Sequence, residues 1–218
     1  MSFTQQLWRE AEGIYRAIIT HPYNVEIAQG TLAAERFRYY VQQDSLYLRD
    51  YMRALTLLAA KAEDGEEAHE LLTWARDAIQ VERDLHQMMS ETLNIPPVDE
   101  QEPACFAYTN FLLARTALDP YPVGLAAVLP CFWIYREVGN HIAGCTVENN
   151  PYAPWISTYS DPGFAKVTDR IIEITDRAAQ RSSPEIQREM IRAFVQSSQC
   201  EWDFWNAAYR EIRWTTRG

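Results

Sequence analysis

The stretch LPCFWIYREVG, residues 129–139, decides the interpretation of this chain because it places a thiol among aromatic rings. Successive residues of a helix lie about 100° apart, so apolar residues three and four positions apart share one face. Cys131 belongs to such a face, whose other members are Ile134, Tyr135, Val138 and Ile142. A free cysteine on an apolar face usually behaves as a small buried hydrophobe. On its own it predicts no chemistry.

Pro130 directly precedes this cysteine, and it allows two interpretations. If the proline begins a helix, the positive end of that helix would favour the thiolate of Cys131. If it lies inside a longer helix, it bends the helix because it lacks an amide proton. Both interpretations place the sulfur at an irregular point of the backbone.

The composition is that of a globular protein. The chain has 218 residues, of which 47% are apolar and 12% aromatic, so we expect one domain over residues 1–218. No apolar run is long enough for a membrane span, and residues 1–20 lack a signal-peptide pattern, so we expect a cytoplasmic protein without membrane contact. A formal net charge of −10 argues against a nucleic-acid partner, since binding phosphates requires concentrated Lys and Arg.

The four cysteines are expected to be reduced. They form no CxxC pair and match no zinc-finger spacing. Their positions are Cys105, Cys131, Cys145 and Cys200. We therefore expect no disulfide, no metal and no other cofactor.

Hydrophobic periodicity predicts an all-α bundle of seven or eight helices. Almost no segment alternates with a period of two, so no strands are expected. The expected helices cover residues 2–20, 31–62, 66–93, 103–118, 123–145, 155–159, 164–181 and 183–213. Residues 21–30 are expected to be a connection, and Thr31 to cap the second helix.

Two acidic residues interrupt apolar helix stripes. Asp44 lies in the middle of one stripe, formed by Phe37, Tyr40, Val41, Tyr47, Leu48 and Tyr51. Glu201 holds the same position in the last helix, among Phe194, Ser197, Ser198, Phe204, Trp205 and Ala208. A carboxylate buried without partners costs several kcal/mol, so such groups are normally hydrogen-bonded, protonated or in contact with a ligand. With Cys131, the two acids indicate either a small-molecule pocket or a buried network that only fixes helix register.

Two Glu-x-x-x-His pairs suggest another class of protein. Glu82 with His86 and Glu137 with His141 could contribute to a di-iron site of a helical bundle. Such sites usually pair Glu with His three residues apart, and pairs four apart are commonly surface contacts. A di-iron or other metal-dependent oxidase therefore remains an alternative.

Three motifs together resemble the TenA family of aminopyrimidine aminohydrolases, also called thiaminase II. They are RYYVQQDSLYL at residues 38–48, LPCFW at residues 129–133 and EWDFWNAAY at residues 201–209. The similarity also includes residues 21–22 and 30–32, so it covers nearly the whole chain. The resemblance implies a haem-oxygenase-like helical bundle, a homotetramer and a role in thiamine salvage.

The resemblance also implies a role for each candidate site residue. Cys131 matches the family's nucleophile, Glu201 its acid/base residue, and Asp44 the carboxylate that holds the aminopyrimidine. The tyrosines at ring-stacking or hydrogen-bonding positions are Tyr47, Tyr108, Tyr135 and Tyr159. Leu46 stands where relatives often carry an aromatic residue, which predicts an altered pocket edge near Tyr47.

The implied reaction replaces the amine or thiazolium on the C5 methylene of a 4-amino-2-methylpyrimidine by hydroxyl, giving hydroxymethylpyrimidine. In that reaction Cys131 adds to C6 of the ring while Glu201 protonates a ring nitrogen, and the ring electrons then expel the leaving group. The expected partner is a small-molecule pyrimidine. A non-catalytic pyrimidine-binding protein remains a further alternative.

Overall fold

The computed structural model describes residues 1–88 and 96–216, without the side chains of residues 81–88. This part of the chain forms nine α-helices and no strand, so the all-α prediction is confirmed. The helices are Phe3–Ile19 (α1), Pro22–Ala28 (α2), Ala34–Lys61 (α3), Gly65–Met88 (α4), Pro103–Leu118 (α5), Tyr121–Ala143 (α6), Ala153–Tyr159 (α7), Pro162–Gln180 (α8) and Pro184–Arg210 (α9). The predicted end of the third helix, at residue 93, lies outside the described residues.

The sequence prediction was wrong between α1 and α3. Residues 21–30 contain a short helix, α2, because Nδ1 of His21 accepts a hydrogen bond of 3.1 Å from the backbone N–H of Tyr23, and Pro22 occupies the first helical position. Helix α3 begins after Ala33, which makes no side-chain cap, and not after Thr31. The additional helix raises the count above the seven or eight that were expected.

Helix α6 lies at the centre of the bundle. It packs along α9 and also contacts α5, α7 and α8, while α3 packs against α4, α5 and α9. Its first half is buried on nearly every side, from Val123 to Pro130. This central position lets α6 present Cys131 to residues of several other helices. No described helix combines the length and the apolar character that crossing a bilayer would require.

Pro130 lies inside α6, which excludes the interpretation that it begins a helix. Its missing amide proton leaves the Ala126 carbonyl without the usual helical donor. Two hydroxyl groups from other helices donate to carbonyls of this irregular turn: Tyr51 to Val128 at 3.0 Å, and Ser197 to Ala127 at 2.7 Å. These bonds tie α3 and α9 to α6 directly before the thiol, so they fix its position.

Helix α7 approaches α6 closely at Gly139. A Cβ atom at this position would lie 2.7 Å from the carbonyl carbon and oxygen of Tyr159. Because glycine lacks that atom, α7 can bring the ring of Tyr159 to 4.8 Å from the ring of Tyr135. Gly139 therefore positions one of the predicted site tyrosines.

Candidate active site

A cavity of about 150 Å³ opens between α3, α4, α6, α7 and α8. Its wall is largely aromatic and aliphatic, with a few polar groups, as is usual for sites that bind small organic molecules. The lining residues are Asp44, Tyr47, Leu48, Tyr51, Trp74, Asp77, Ala78, Cys131, Phe132, Tyr135, Thr158, Tyr159, Phe164 and Val167. A protein cavity of about this volume holds benzene, so this one has room for a six-membered ring with small substituents.

Cys131 lies in the cavity wall as a free thiol that is partly exposed to the cavity. Burial within the protein raises its pKa well above the usual value, and the nearby carboxylate of Glu201 raises it further. The hydroxyl groups of Tyr47 and Tyr51 face the sulfur and act in the opposite direction. The raised pKa means that the thiol is neutral before a ligand binds.

Asp44 contributes a carboxyl group that is almost completely buried. Its Oδ2 atom has no hydrogen-bond partner within the described part of the chain. Burial raises the pKa of this carboxyl group from 3.8 to about 7. A buried acceptor without a donor costs free energy, and this one borders the cavity, so it is available to an N–H group of a ligand.

Glu201 lies directly behind the cavity wall. Its Oε1 atom accepts a hydrogen bond of 2.7 Å from the hydroxyl of Tyr108. Burial raises the pKa of Glu201 to about 8, with a smaller contribution from the charge of Asp44, whereas the bond from Tyr108 lowers it. The side chain is therefore mostly a carboxylic acid near neutral pH, and it can donate a proton.

The structure places five of the seven predicted site residues in the cavity wall and two behind it. Those in the wall are Asp44, Tyr47, Cys131, Tyr135 and Tyr159, and those behind it are Tyr108 and Glu201. The ring of Tyr47 lies 5.0 Å from that of Tyr108, which connects the two groups. The chemical roles of these residues stay predictions.

The sequence prediction missed several residues of the site. Tyr51, one helical turn after Tyr47, faces the cysteine, and Ser197 contacts Tyr108 at 3.0 Å. Both were visible as members of the stripes around Asp44 and Glu201, but periodicity gave no reason to choose them. Trp74 and Phe164 of the wall carried no sequence signal, since aromatic residues are frequent throughout this chain.

The expected altered pocket edge at Leu46 was wrong. Leu46 is buried but does not line the cavity. It borders a separate surface concavity together with Arg49 and Asp50. The reason is helical geometry, because neighbouring residues on α3 point about 100° apart.

The residues of the metal alternative are only partly described. The carboxylate of Glu137 accepts two hydrogen bonds from Arg136, at 3.0 and 2.8 Å, and His141 is exposed. The side chains of Glu82 and His86 lie outside the described residues. Elsewhere, in the part that is described, no three His, Cys, Asp or Glu side chains are grouped in a way that could hold a metal ion.

Curated relatives resemble this chain over its whole length. The aminopyrimidine aminohydrolase of Bacillus subtilis is 31% identical over 219 residues, which cover 99% of this chain and 93% of that protein. The thiamine biosynthesis multifunctional protein ThiED of Corynebacterium efficiens is 34% identical over 210 residues, which cover 96% of this chain. The chain spans only 28% of the length of that multifunctional relative.

Solved structures share the architecture. The TenA homologue from P. horikoshii OT3 has a TM-score of 0.86 and 32% identity, over 96% of this chain and 99% of that one. A heme oxygenase-like domain of unknown function from Shewanella denitrificans has a TM-score of 0.72 at 13% identity, over 95% and 92% of the two chains, and shares the fold alone. The predicted haem-oxygenase-like bundle is therefore confirmed. Because the model of the TENA/THI-4/PQQC family matches residues 8–211 and full-length relatives agree with it, this chain belongs to the TENA/THI-4/PQQC family.

Proposed function

We propose that this protein is an aminopyrimidine aminohydrolase of thiamine salvage. It replaces the amine on the C5 methylene of 4-amino-5-aminomethyl-2-methylpyrimidine by hydroxyl, and it releases ammonia. The observation that carries this proposal is one ring-sized cavity bordered by the thiol of Cys131 and the unpartnered oxygen of Asp44, with the acid Glu201 directly behind it. Full-length relatives named for this activity support the same assignment.

Asp44 orients the substrate in this proposal. Its Oδ2 atom accepts a hydrogen bond from the 4-amino group, and the aromatic residues of the wall, among them Tyr159 and Phe164, pack against the faces of the ring. A carboxyl group whose pKa is about 7 ionises readily when it gains such a donor. The resulting negative charge stabilises the positive charge that develops on the 4-amino group during the reaction.

Cys131 and Glu201 perform the covalent steps. The sulfur of Cys131 forms a bond to C6, Glu201 gives its proton to a ring nitrogen, and the thiol proton returns to Glu201, so that in sum S–H adds to the ring. The aminomethyl group is protonated near neutral pH, so electrons from the 4-amino group expel it as ammonia and leave an exocyclic methylene with a positive charge on the 4-amino nitrogen. Water adds to this methylene and gives up one proton. The ring nitrogen then returns its proton as the sulfur leaves as a neutral thiol, which restores the aromatic ring. The neutral thiol and the neutral acid of the resting site are the protonation states that this addition requires.

The cavity volume favours the small amine over thiamine as the substrate. A space of about 150 Å³ accommodates a substituted pyrimidine ring, whereas the thiazolium ring of thiamine would have to extend through the mouth. We therefore expect a higher kcat/KM for the aminomethylpyrimidine than for thiamine.

Turnover of both compounds by the wild-type protein and by Cys131→Ser tests the proposal. We expect the variant to lose at least about a thousandfold in kcat because its hydroxyl is a much weaker nucleophile, with pyrimidine binding retained. Cys145→Ser is the matched control, since Cys145 is an exposed thiol that does not line the cavity. Full activity of Cys131→Ser would refute the covalent scheme, and binding without turnover by the wild type would favour a non-catalytic pyrimidine-binding protein.

The assembly and the location of the protein belong to the same proposal. The resemblance to TenA implies a homotetramer of four 25.3 kDa chains, and the sequence pattern of residues 1–20 predicts a cytoplasmic location. Sedimentation equilibrium measures the mass of the assembly, and a mass of one or two chains would contradict it. That residues 1–218 form one domain also stays a prediction, which a single cooperative unfolding transition would support.

A further inference from the structure

A chain of three short polar contacts runs from the acid into α6. Glu201 Oε1 lies 2.7 Å from Tyr108 Oη, which lies 3.0 Å from Ser197 Oγ, which lies 2.7 Å from the carbonyl oxygen of Ala127. All three side chains are at most 1% exposed. The contacts are therefore made without competition from bulk water, and each needs a proton to be a hydrogen bond.

The number of protons shared among these three contacts depends on whether Glu201 is ionised or protonated. Tyr108 and Ser197 bring one hydroxyl proton each, and the carbonyl of Ala127 can only accept. When Glu201 is ionised, only two protons are available for the three contacts. Tyr108 then donates to Glu201 and Ser197 to Ala127, so no proton lies between Tyr108 and Ser197. When Glu201 is protonated on Oε1, all three contacts are filled, because Glu201 donates to Tyr108, Tyr108 to Ser197, and Ser197 to Ala127.

We propose that Ser197 is a positioning residue whose hydroxyl lets Tyr108 change from donor to acceptor toward Glu201. This inference rests on the proposed function, in which Glu201 gives up a proton and regains it in every cycle. Ser197 supplies the acceptor that the Tyr108 proton needs while Glu201 carries its proton on Oε1. The general acid thus keeps a hydrogen bond in both of its protonation states, and the backbone does not have to move.

Other titratable groups also face Glu201. They are Asp44, Tyr47 and Tyr51 from α3, Tyr108 from α5, Cys131 and Tyr135 from α6, Tyr159 from α7, and Cys200 from α9 itself. Burial raises the pKa of each of these groups, so all except Asp44 are neutral near pH 8. The direct route from Ser197 to Glu201 therefore runs through Tyr108, which contacts both side chains.

Ser197→Ala and Tyr108→Phe should shift the pKa of Glu201 in opposite directions. Ser197→Ala removes the bond to Ala127 in both states and the bond from Tyr108 in the acid form alone. The pKa therefore falls by roughly one unit, which corresponds to about 1.4 kcal/mol. Tyr108→Phe removes the donor to the carboxylate, so the pKa rises. Ser197→Cys has a similar volume but a weak acceptor, and we expect a smaller fall from it. Ser198→Ala is the matched control, because the hydroxyl of Ser198 donates to Phe194 within its own helix.

The protonated carboxyl band in infrared spectra of protein with ¹³C-labelled glutamate gives the pKa directly, and Glu201→Gln assigns the band. The decrease of kcat at high pH, where Glu201 loses its proton, should shift by the same amount as this pKa. The proposal would be overturned if Glu201 had the same pKa in Ser197→Ala as in Ser198→Ala. A rise in the pKa of Glu201 in Ser197→Ala or Ser197→Cys would overturn it as well. The infrared titration needs no turnover, so it decides the role of Ser197 even if the proposed function fails.

Discussion

Asp44→Asn is expected to flatten the pH dependence of stability. Burial raises the pKa of Asp44 from 3.8 to about 7, so the unfolded chain loses this proton near pH 4 and the folded protein only near pH 7. Between these values folding takes up a proton. The contribution of Asp44 to the free energy of unfolding therefore falls as the pH rises through this interval, and it becomes constant above about pH 7.

The size of this effect follows from the difference between the two pKa values. Roughly three pH units at 1.36 kcal/mol each amount to about 4 kcal/mol, of which about 3 kcal/mol falls between pH 5 and pH 8. Asparagine has nearly the same shape and cannot ionise, so this part of the dependence disappears in the variant. Glu201, whose pKa rises from 4.5 to about 8, adds a second loss between about pH 4.5 and pH 8 that the variant retains.

Urea denaturation followed by circular dichroism at pH 5 and pH 8 measures the effect. Between pH 5 and pH 8 we expect the free energy of unfolding to fall by about 3 kcal/mol more in the wild type than in Asp44→Asn. Glu148→Gln, which changes an exposed carboxylate, should follow the wild type. Parallel losses in the wild type and in Asp44→Asn would refute the reasoning, because they would mean that Asp44 ionises at no cost in the folded protein.

Three further predictions concern the walls of the site. Gly139→Ala places a Cβ atom 2.7 Å from the backbone of Tyr159. We expect the free energy of unfolding, measured in urea, to fall by about 1–3 kcal/mol and the KM to rise, and unchanged values would contradict the close approach. Asp77 lines the cavity with a side chain that is 55% exposed. Asp77→Asn should therefore raise the KM of the proposed substrate, a cationic amine, roughly two- to fourfold at low salt, and an equal rise at high salt would exclude a charge effect. Iodoacetamide at pH 7.5 should modify Cys145 well before the neutral thiol of Cys131. Peptide mass spectrometry measures both rates, and equal rates would contradict the raised pKa of Cys131.

The long helices and the inward direction of the acids could be predicted from the sequence. Both follow from a hydrophobic period that extends over several turns, and the apolar stripe around Asp44 is an example. The short helix α2 was missed because its seven residues are too few to show a period, so residues 21–30 were expected to be a connection. Leu46 was misjudged because resemblance identifies a motif position but not the direction of its side chain.

The partners within the site could not be predicted, because they join distant parts of the chain. Tyr108 and Glu201 are separated by 93 residues, and only the packing of α5 against α9 brings the phenol to the carboxyl group. Periodicity also gives the face on which a residue lies and not its depth. For this reason the sequence predicted Asp44 and Glu201 as equivalent inward acids, whereas the structure places one in the cavity wall and the other behind it.

The irregular turn at Pro130 explains why the thiol and the acid are linked. A proline inside α6 weakens the helix by removing one hydrogen bond, and hydroxyl groups of Tyr51 and Ser197 donate to the carbonyls beside it. Tyr51 also faces the sulfur of Cys131, and Ser197 also contacts Tyr108, the donor to Glu201. The same two hydroxyl groups therefore stabilise the backbone and contact the two reactive groups from either side. A change in the turn would alter the surroundings of Cys131 and of Glu201, the proposed nucleophile and the proposed general acid, together. The site therefore depends on this one irregular turn of its central helix.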